Sequence, residues 1–391
     1  MNVVLTKTKA EESLGFALPT RRMEEWRWTD LRQLVDRPYP PHQPVVAAEA
    51  DIDRLVGSSP FVAVASARMV FVNGRLDPRR STLSNRTAEV RVLGDDPLLM
   101  LNRSFAVDGA RIALAGSADT PVELVFIATE GPDRAIATRN VIEVAAGASA
   151  TVIETHVGEG TYLTSSVSEI VLGEGACLDR VKVERESGTA IHLAHAHVTL
   201  GAKAVLRDFT LQSGARAARQ NGDYVLAGEG TDIKVSGAYL LAGRQHADTR
   251  LVVDHRVPHC TSRELFKCVM DDQARGIFQG KVIVRPDAQK TDGKQSSHGL
   301  LLSETAEFDA KPELEIFADD VICGHGATSG DLDADHLFYL MSRGISEAEA
   351  KSLLVAAFVG EAFETLAHDG IREALVALSE AWLTGRGRGH A

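Results

Sequence analysis

Val144-Ala-Ala-Gly147, Leu172-Gly-Glu-Gly175, Leu200-Gly201 and Leu226-Ala-Gly228 decide the fold of this chain, because the glycines that close them fall 28, 26 and 27 residues apart. Gly147, Gly175 and Gly201 are each followed by an alanine, Ala148, Ala176 or Ala202, and then by a new apolar segment, as if each coil turned one corner on a small residue. Asp287-Ala288 falls about two periods further on. A beat of this length marks a solenoid, in which one coil cannot bury its apolar face alone and stacked coils share a continuous core. From about residue 121 to 322, short runs rich in Val, Ile, Leu and Thr alternate with Gly, Asp and Asn, which is the texture of strands. Sandwiches and barrels turn roughly every 8 to 12 residues instead, and the beat of about six residues typical of hexapeptide helices is absent. The expected architecture is mainly β. A right-handed parallel β-helix core spans 101–330, between an N-terminal mixed, partly helical region over 1–100 and a C-terminal helical domain over 331–391.

The flanks read as helical. Met23, Trp26, Leu31 and Leu34 recur at spacings that share one helical face, a core-facing stripe. Asp333 can cap a helix through Leu337, Phe338, Leu340 and Met341 that ends near Gly344. Ser346 and Glu349 form a capping box for the next helix, whose apolar face carries Leu354, Ala357, Phe358, Ala362 and Leu366 with Leu353 beside it. Ile371 to Trp382 reads as another helix, and the tail 385–391 as disordered. Helices at the end of a solenoid either cap its open edge or offer an apolar groove to a partner.

At 391 residues with 44% hydrophobic and 25% charged residues, the chain has ordinary globular composition. No apolar run approaches the roughly 18 residues that span a bilayer, and the opening residues lack a secretion signal, so the cytosol is the default expectation and no membrane is implied. A net charge of -12 repels phosphate backbones and argues against nucleic acid as a partner. Cys177, Cys260, Cys268 and Cys323 form no C-x-x-C pair and read as reduced thiols. The nearest approach to a phosphate-binding loop is Gly293-Lys294-Gln295-Ser296, in which Gln295 takes the Ser/Thr place and Ala288 that of the first glycine. The chain is therefore not expected to hydrolyse ATP, and neither G-x-S-x-G nor H-E-x-x-H is present.

The most suggestive local cluster is Asp319-Asp-Val-Ile-Cys-Gly-His-Gly-Ala-Thr328. In an extended segment Cys323 and His325 point to one face. A thiolate beside an imidazole can bind a soft or borderline metal or an iron–sulfur fragment, and nearby positive charge would favour the thiolate. Two ligands do not complete a site, so the others must come from elsewhere in the fold or from a partner chain. His195 and His197 share a strand face with His192 opposite, but no cysteine or carboxylate pattern accompanies them as zinc would require. His255, His259, Cys260 and Cys268 read as packing and surface.

Glu313 to Gly330, including Cys323-Gly-His-Gly-Ala-Thr328, followed by Leu337-Phe-Tyr-Leu-Met-Ser-Arg-Gly-Ile345, closely resembles the C-terminal signature of the SufB/SufD family. Leu18-Pro-Thr-Arg-Arg-Met-Glu-Glu-Trp-Arg-Trp-Thr-Asp-Leu31 resembles the N-terminal signature of its SufD branch. SufB chains carry a cysteine where this chain has Gln295-Ser296-Ser297, and a glutamate at the place of Gly326, so the resemblance falls on the SufD side. It implies a non-ATPase scaffold, without catalytic residues or a resident cofactor, in an iron–sulfur cluster assembly complex with a SufB-like subunit and a SufC-like ATPase. It implies that His325, with Cys323 less secure, sits at the SufB interface where the nascent cluster forms, His325 being the metal ligand shared with that partner. It further implies that the C-terminal helices, through Leu337, Phe338, Met341, Leu353, Leu354 and Phe358, dock SufC, and that the chain can form a homodimer when SufB is absent. Two other readings of the residues stand beside it. One is a β-helix carbohydrate-active enzyme using paired carboxylates such as Asp271-Asp272, which the 5% aromatic content supports poorly. The other is a homomeric metal-binding protein using His325 with His195 or His255.

Overall fold

The computed structural model describes residues 7–41, 45–85, 94–117 and 120–386. Its strands are β1 Ala67–Val72, β2 Arg75–Leu76, β3 Arg111–Leu114, β4 Val122–Ala128, β5 Ala135–Val144, β6 Ser149–Gly158, β7 Leu163–Leu172, β8 Cys177–Arg185, β9 Ile191–Leu200, β10 Val205–Gln212, β11 Ala217–Leu226, β12 Asp232–Leu241, β13 His246–His255, β14 Thr261–Met270, β15 Arg275–Val284, β16 Asp292–Leu301, β17 Glu307–Ile316 and β18 Ile322–Gly330. Apart from the β1–β2 hairpin, the pairings are parallel; β1 pairs with β4, and from β3 onward each strand pairs with the next but one. Two sheets result, ordered β18-β16-β14-β12-β10-β8-β6-β4-β1-β2 and β17-β15-β13-β11-β9-β7-β5-β3. Each coil gives one strand to each sheet, so the chain is the expected parallel solenoid, flattened into two faces. β1 and β2 extend the first sheet into the span read as the N-terminal mixed region.

Register sets the period. Ser149, Cys177, Val205, Asp232, Thr261, Asp292 and Ile322 align across the ten-stranded sheet, in steps of 28, 28, 27, 29, 31 and 30. The corner following the odd strands bends through a left-handed residue at Gly147 (φ 68°), Gly175 (φ 64°) and Lys203 (φ 55°). The third corner residue is thus Lys203 rather than Gly201, which falls in register with Gly173. Glycine reaches this conformation without the Cβ clash that lysine bears.

Inward positions alternate along every strand. Near the corner that follows the odd strands they are apolar, with Val152, Leu178, Leu206 and Ile233 facing Ile142, Ile170, Val198 and Leu226. Towards the opposite corner the interior is polar. Glu154, Arg180, Lys182, Glu184 and Asp208 on one sheet and Asn140, Ser168, His192 and Gln220 on the other are all buried. Arg180 lies at their centre, with Nε donating to Glu154 at 2.7 Å and Nη1 to both oxygens of Asp208 at 3.0 and 3.1 Å.

The helices cover the outer faces. They are α1 Lys9–Leu14, α2 Leu31–Leu34, α3 Glu49–Gly57, α4 Pro97–Phe105, α5 Ala334–Ser342, α6 Glu347–Gly360 and α7 Asp369–Arg386. Leu14, Trp26, Leu31, Leu98 and Leu101 pack on Ala135, Leu163 and Leu193 of the eight-stranded sheet. The stripe expected from Met23 to Leu34 is no single helix. A 3-10 turn at Glu24–Trp26 and the short α2 divide it, burying Trp26 and Leu31 while Met23 is 44% exposed. Arg219 stacks over Trp26 at 4.5 Å, which anchors this segment on the sheet. On the other face, Val355 and Val359 of α6 and Leu375 of α7 pack with Phe363 against Val181, Phe209, Leu211 and Leu240. The buried stripe of α6 is thus one residue removed from the predicted Leu354 and Phe358, which are half-buried. The Ser346 hydroxyl accepts from the Glu349 N–H at 3.3 Å. Gly385 and Arg386 belong to α7, and the rest of the predicted tail lies outside the described residues. No helix among the described residues is long and apolar enough to cross a membrane.

Candidate functional site

The last coil is the place where the solenoid stops without a cover on its strand edges. β18 pairs with β16 and β17 with β15, and among the described residues the outer edge of each has no strand beside it. An unpaired edge presents a row of backbone donors and acceptors to another chain. Ile316, Phe317 and Ile322, between 41% and 66% exposed, add apolar surface at the turn between the two edges.

β18 brings Cys323 and His325 to one face, as their spacing predicts. Cys323 is half-buried and packs with Val321 against the end of the apolar core, whereas His325 is exposed. The electrostatics differ from the sequence expectation. Among the described residues no positive charge favours the thiolate; burial first, then the negative Asp292 and, once it ionises at higher pH, Glu264, raise the Cys323 pKa against the pull of a backbone hydrogen bond from Gly293. Cys323 is therefore a thiol at neutral pH, and would bind metal only by giving up its proton to it.

Beneath this pair the interior is polar, which sequence reasoning did not identify. His325 stands in register with Gln295, and Gln295 with Glu264, a column running down the inside of the sheet. Glu264 and Gln295 are 2% and 1% exposed, yet among the described residues neither makes an aligned hydrogen bond through any side-chain oxygen or nitrogen. Ser297 Oγ and His255 Nδ1 are likewise buried and unpartnered, while His255 Nε2 lies 3.1 Å from Ser262 Oγ. Burial pushes Glu264 up to about 8 against the opposing pull of Ser262 and Arg263, so it holds its proton at neutral pH. Gly280 makes room for Gln295: a Cβ at that position would lie 2.1 Å from Gln295 Nε2. Extending the corner period to side chains reveals the column, because 264, 295 and 325 are 31 and 30 residues apart.

The other candidates fall elsewhere. Gly293-Lys294-Gln295-Ser296 lies inside β16, so its backbone N–H groups serve the sheet rather than a phosphate. Cys260 and Cys268 are buried in the apolar core, and His259 is exposed. His195 lies on β9, four strands from the β17 edge of its sheet, which at about 4.8 Å per strand is too far for one ion to join it to His325. Phe338 and Met341 on α5 and Leu353 on α6 are 74%, 43% and 48% exposed, and Leu337 is half-buried. Leu354 and Phe358 line an open groove of about 710 Å³ with Leu300, Leu332, Tyr339 and Leu340.

The model of the SUF system FeS cluster assembly SufBD core domain matches residues 126–358. The chain belongs to the SufBD family of the SUF iron–sulfur cluster assembly system. The iron–sulfur cluster assembly protein SufD of Escherichia coli is 30% identical over 385 residues, 94% of this chain and 90% of that protein. An iron–sulfur cluster assembly SufBD family protein of Synechocystis is 30% identical over 91% of this chain and 86% of its own length. SufD of Bacillus subtilis is 29% identical over 67% of this chain and 61% of its own length. The core match runs from within β4 to α6, so it takes in the open end, the Cys323–His325 pair and the first two C-terminal helices of this SufBD protein.

Proposed function

We propose that this SufBD protein is the SufD-type scaffold of a cytosolic SUF complex, without catalysis of its own. It pairs with a SufB-like subunit through the edges of β17 and β18 and docks a SufC-like ATPase through α5 and α6. The observation that carries this reading is the last coil, where two free strand edges and exposed apolar residues surround His325. Strand addition across such an edge supplies affinity through main-chain hydrogen bonds and hides a surface that would otherwise aggregate. His325 then faces the partner, where its imidazole can hold iron of the nascent cluster, the cargo of the complex. Cys323, kept as a thiol by burial, is the weaker ligand.

The test is co-expression with SufB-like and SufC-like partners, anaerobic purification, and comparison of wild type with His325→Ala. The expected result is an intact complex whose iron and acid-labile sulfide fall about tenfold or more. A complex that falls apart would make His325 a contact residue, unchanged iron and sulfide would reduce it to packing, and a wild-type chain that captures neither partner would sink the scaffold reading.

The docking surface makes its own prediction. Phe338 is 74% exposed and α5 buries none of its residues, so Phe338→Asp should leave stability within about 0.5 kcal/mol. A large aromatic anchor lost from an interface costs about 2 kcal/mol or more, so calorimetric titration with the ATPase should show roughly thirtyfold weaker binding or worse. Unaltered affinity would move the dock elsewhere.

A further inference from the structure

A second cluster stands on the outer face of the eight-stranded sheet, remote from the open end. On β9, His195 and His197 face outward while His192 faces in, as their spacing implies. The carboxylate that the sequence lacked nearby comes from the next coil, since Asp223 on β11 is in register with His197. One ligand atom from each of His195, His197 and Asp223 lies within 4.8 Å of the other two, and among the described residues this is the only such group of three His, Cys, Asp or Glu.

Three features set it apart from ordinary polar packing. His195 is 1% exposed, and among the described residues neither of its ring nitrogens makes an aligned hydrogen bond; Nε2 is 2.9 Å from Asp223 Oδ2 but out of line for one. His197 Nδ1 is also buried and unpartnered. The carboxylates are held from outside. Asp223 Oδ1 accepts from Arg250 at 3.3 Å, which turns Oδ2 towards the histidines. Asp96 caps α4 by accepting from the Leu98 N–H at 2.8 Å, accepts from Asn221 at 2.9 Å through Oδ2, and places Oδ1 3.6 Å from His195 Nδ1.

We propose that His195, His197 and Asp223 form a site for a borderline divalent transition-metal ion, Zn²⁺ or Fe²⁺, with Asp96 orienting His195 from behind. Two imidazoles and one carboxylate are a donor set suited to either ion and leave a coordination position open. Bonds of about 2.0–2.1 Å put tetrahedral ligand atoms roughly 3.3 Å apart, between the 2.9 Å of His195 and Asp223 and the 4.8 Å that bounds the group, so adjustment of the half-buried His197 suffices. A carboxylate behind the distal nitrogen of a metal-bound histidine fixes its tautomer and raises its basicity, and Asp96 has that place. The rival is a structural ion pair in which a proton replaces the metal. Burial opposes an imidazolium, yet Asp223 and Asp96 raise His195 to about 9.

The experiment uses the full chain, stripped with chelator and titrated anaerobically with Co²⁺, whose visible absorption reports coordination geometry. Wild type is expected to bind one equivalent. His197→Ala and Asp223→Asn should each weaken binding tenfold or more, Asp96→Asn about tenfold, and His325→Ala not at all, which separates this site from the open end and its proposed role. Urea unfolding of each variant, followed by circular dichroism, ensures that a loss is not unfolding; Asp223→Asn keeps the side-chain shape and serves if His197→Ala does not fold. Displacement of Co²⁺ at lower concentration by Zn²⁺ or by Fe²⁺ decides which ion the site prefers. Absence of stoichiometric binding, equal binding by a folded His197→Ala variant, or loss in His325→Ala overturns the proposal.

Discussion

Arg180→Met is expected to destabilise the chain by on the order of 3–5 kcal/mol, read as a large drop in the urea midpoint. The guanidinium is fully enclosed and joins Glu154 to Asp208 across neighbouring coils. Burial works against the charge of Arg180 and Glu154, but the two carboxylates raise the Arg180 pKa, and the guanidinium, with His156, holds Glu154 well below the usual carboxylate range. Removing the cation leaves two buried carboxylates, of which Asp208 keeps the Tyr224 hydroxyl at 2.8 Å and Glu154 the more distant Ser168 hydroxyl at 3.4 and 3.5 Å. Such carboxylates escape the penalty by taking up protons. The variant should therefore lose further stability as pH rises from 5 to 8, relative to wild type. Replacing Arg180, Glu154 and Asp208 together by apolar residues of similar volume should restore most of the loss, because desolvating the ions offsets much of their attraction. A loss below about 1 kcal/mol would mean that water reaches the network.

Glu264→Gln is expected to act in the opposite direction and to depend on pH. The folded-state pKa of Glu264, about 8, exceeds its ordinary 4.5, so the native chain holds that proton more tightly than the unfolded chain. The contribution is fully present below about 4.5 and is lost as pH climbs to about 8, at about 1.4 kcal/mol per pH unit between the two values. Wild type and Glu264→Gln should have similar urea midpoints near pH 5 and diverge by a few kcal/mol near pH 9, with the glutamine variant more stable. Other raised carboxyls, Glu184 and Glu186, are common to both proteins and cancel in the difference. Parallel pH profiles would show that Glu264 ionises freely, and the polar interior beneath His325 would then be open to water.

Both predictions concern residues that no motif marks. Glu154, Arg180 and Glu264 sit in strands whose alternation is readable, but with helices covering both outer faces each strand is buried on two sides, and polar residues are distributed on both. Pattern alone then does not say which polar residue lies inside. The pair at the open end was legible because Cys323 and His325 are two apart in one strand, and strand geometry puts such residues on one face. The polarity around Cys323 was not, because Asp292 and Glu264 reach it from two preceding strands of the sheet. His195 and His197 were legible as a pair for the same reason, while Asp223 waited for the register of the next coil. The corners show how small the margin is: Lys203 has the left-handed place that a glycine pattern assigned to Gly201, and a slip of two residues preserves strand faces while misplacing the turn.

What the sequence by itself determined is the repeat, and with it the parallel solenoid, the helical flanks and the family, since these rest on local periodicity and contiguous motifs. Only the tertiary structure decided which polar side chains meet inside the coils, which strand edges stay open, and where a carboxylate joins two histidines. Those contacts link residues about 30 positions apart through strand register, and register is set by the packing of the whole stack rather than by any segment of it.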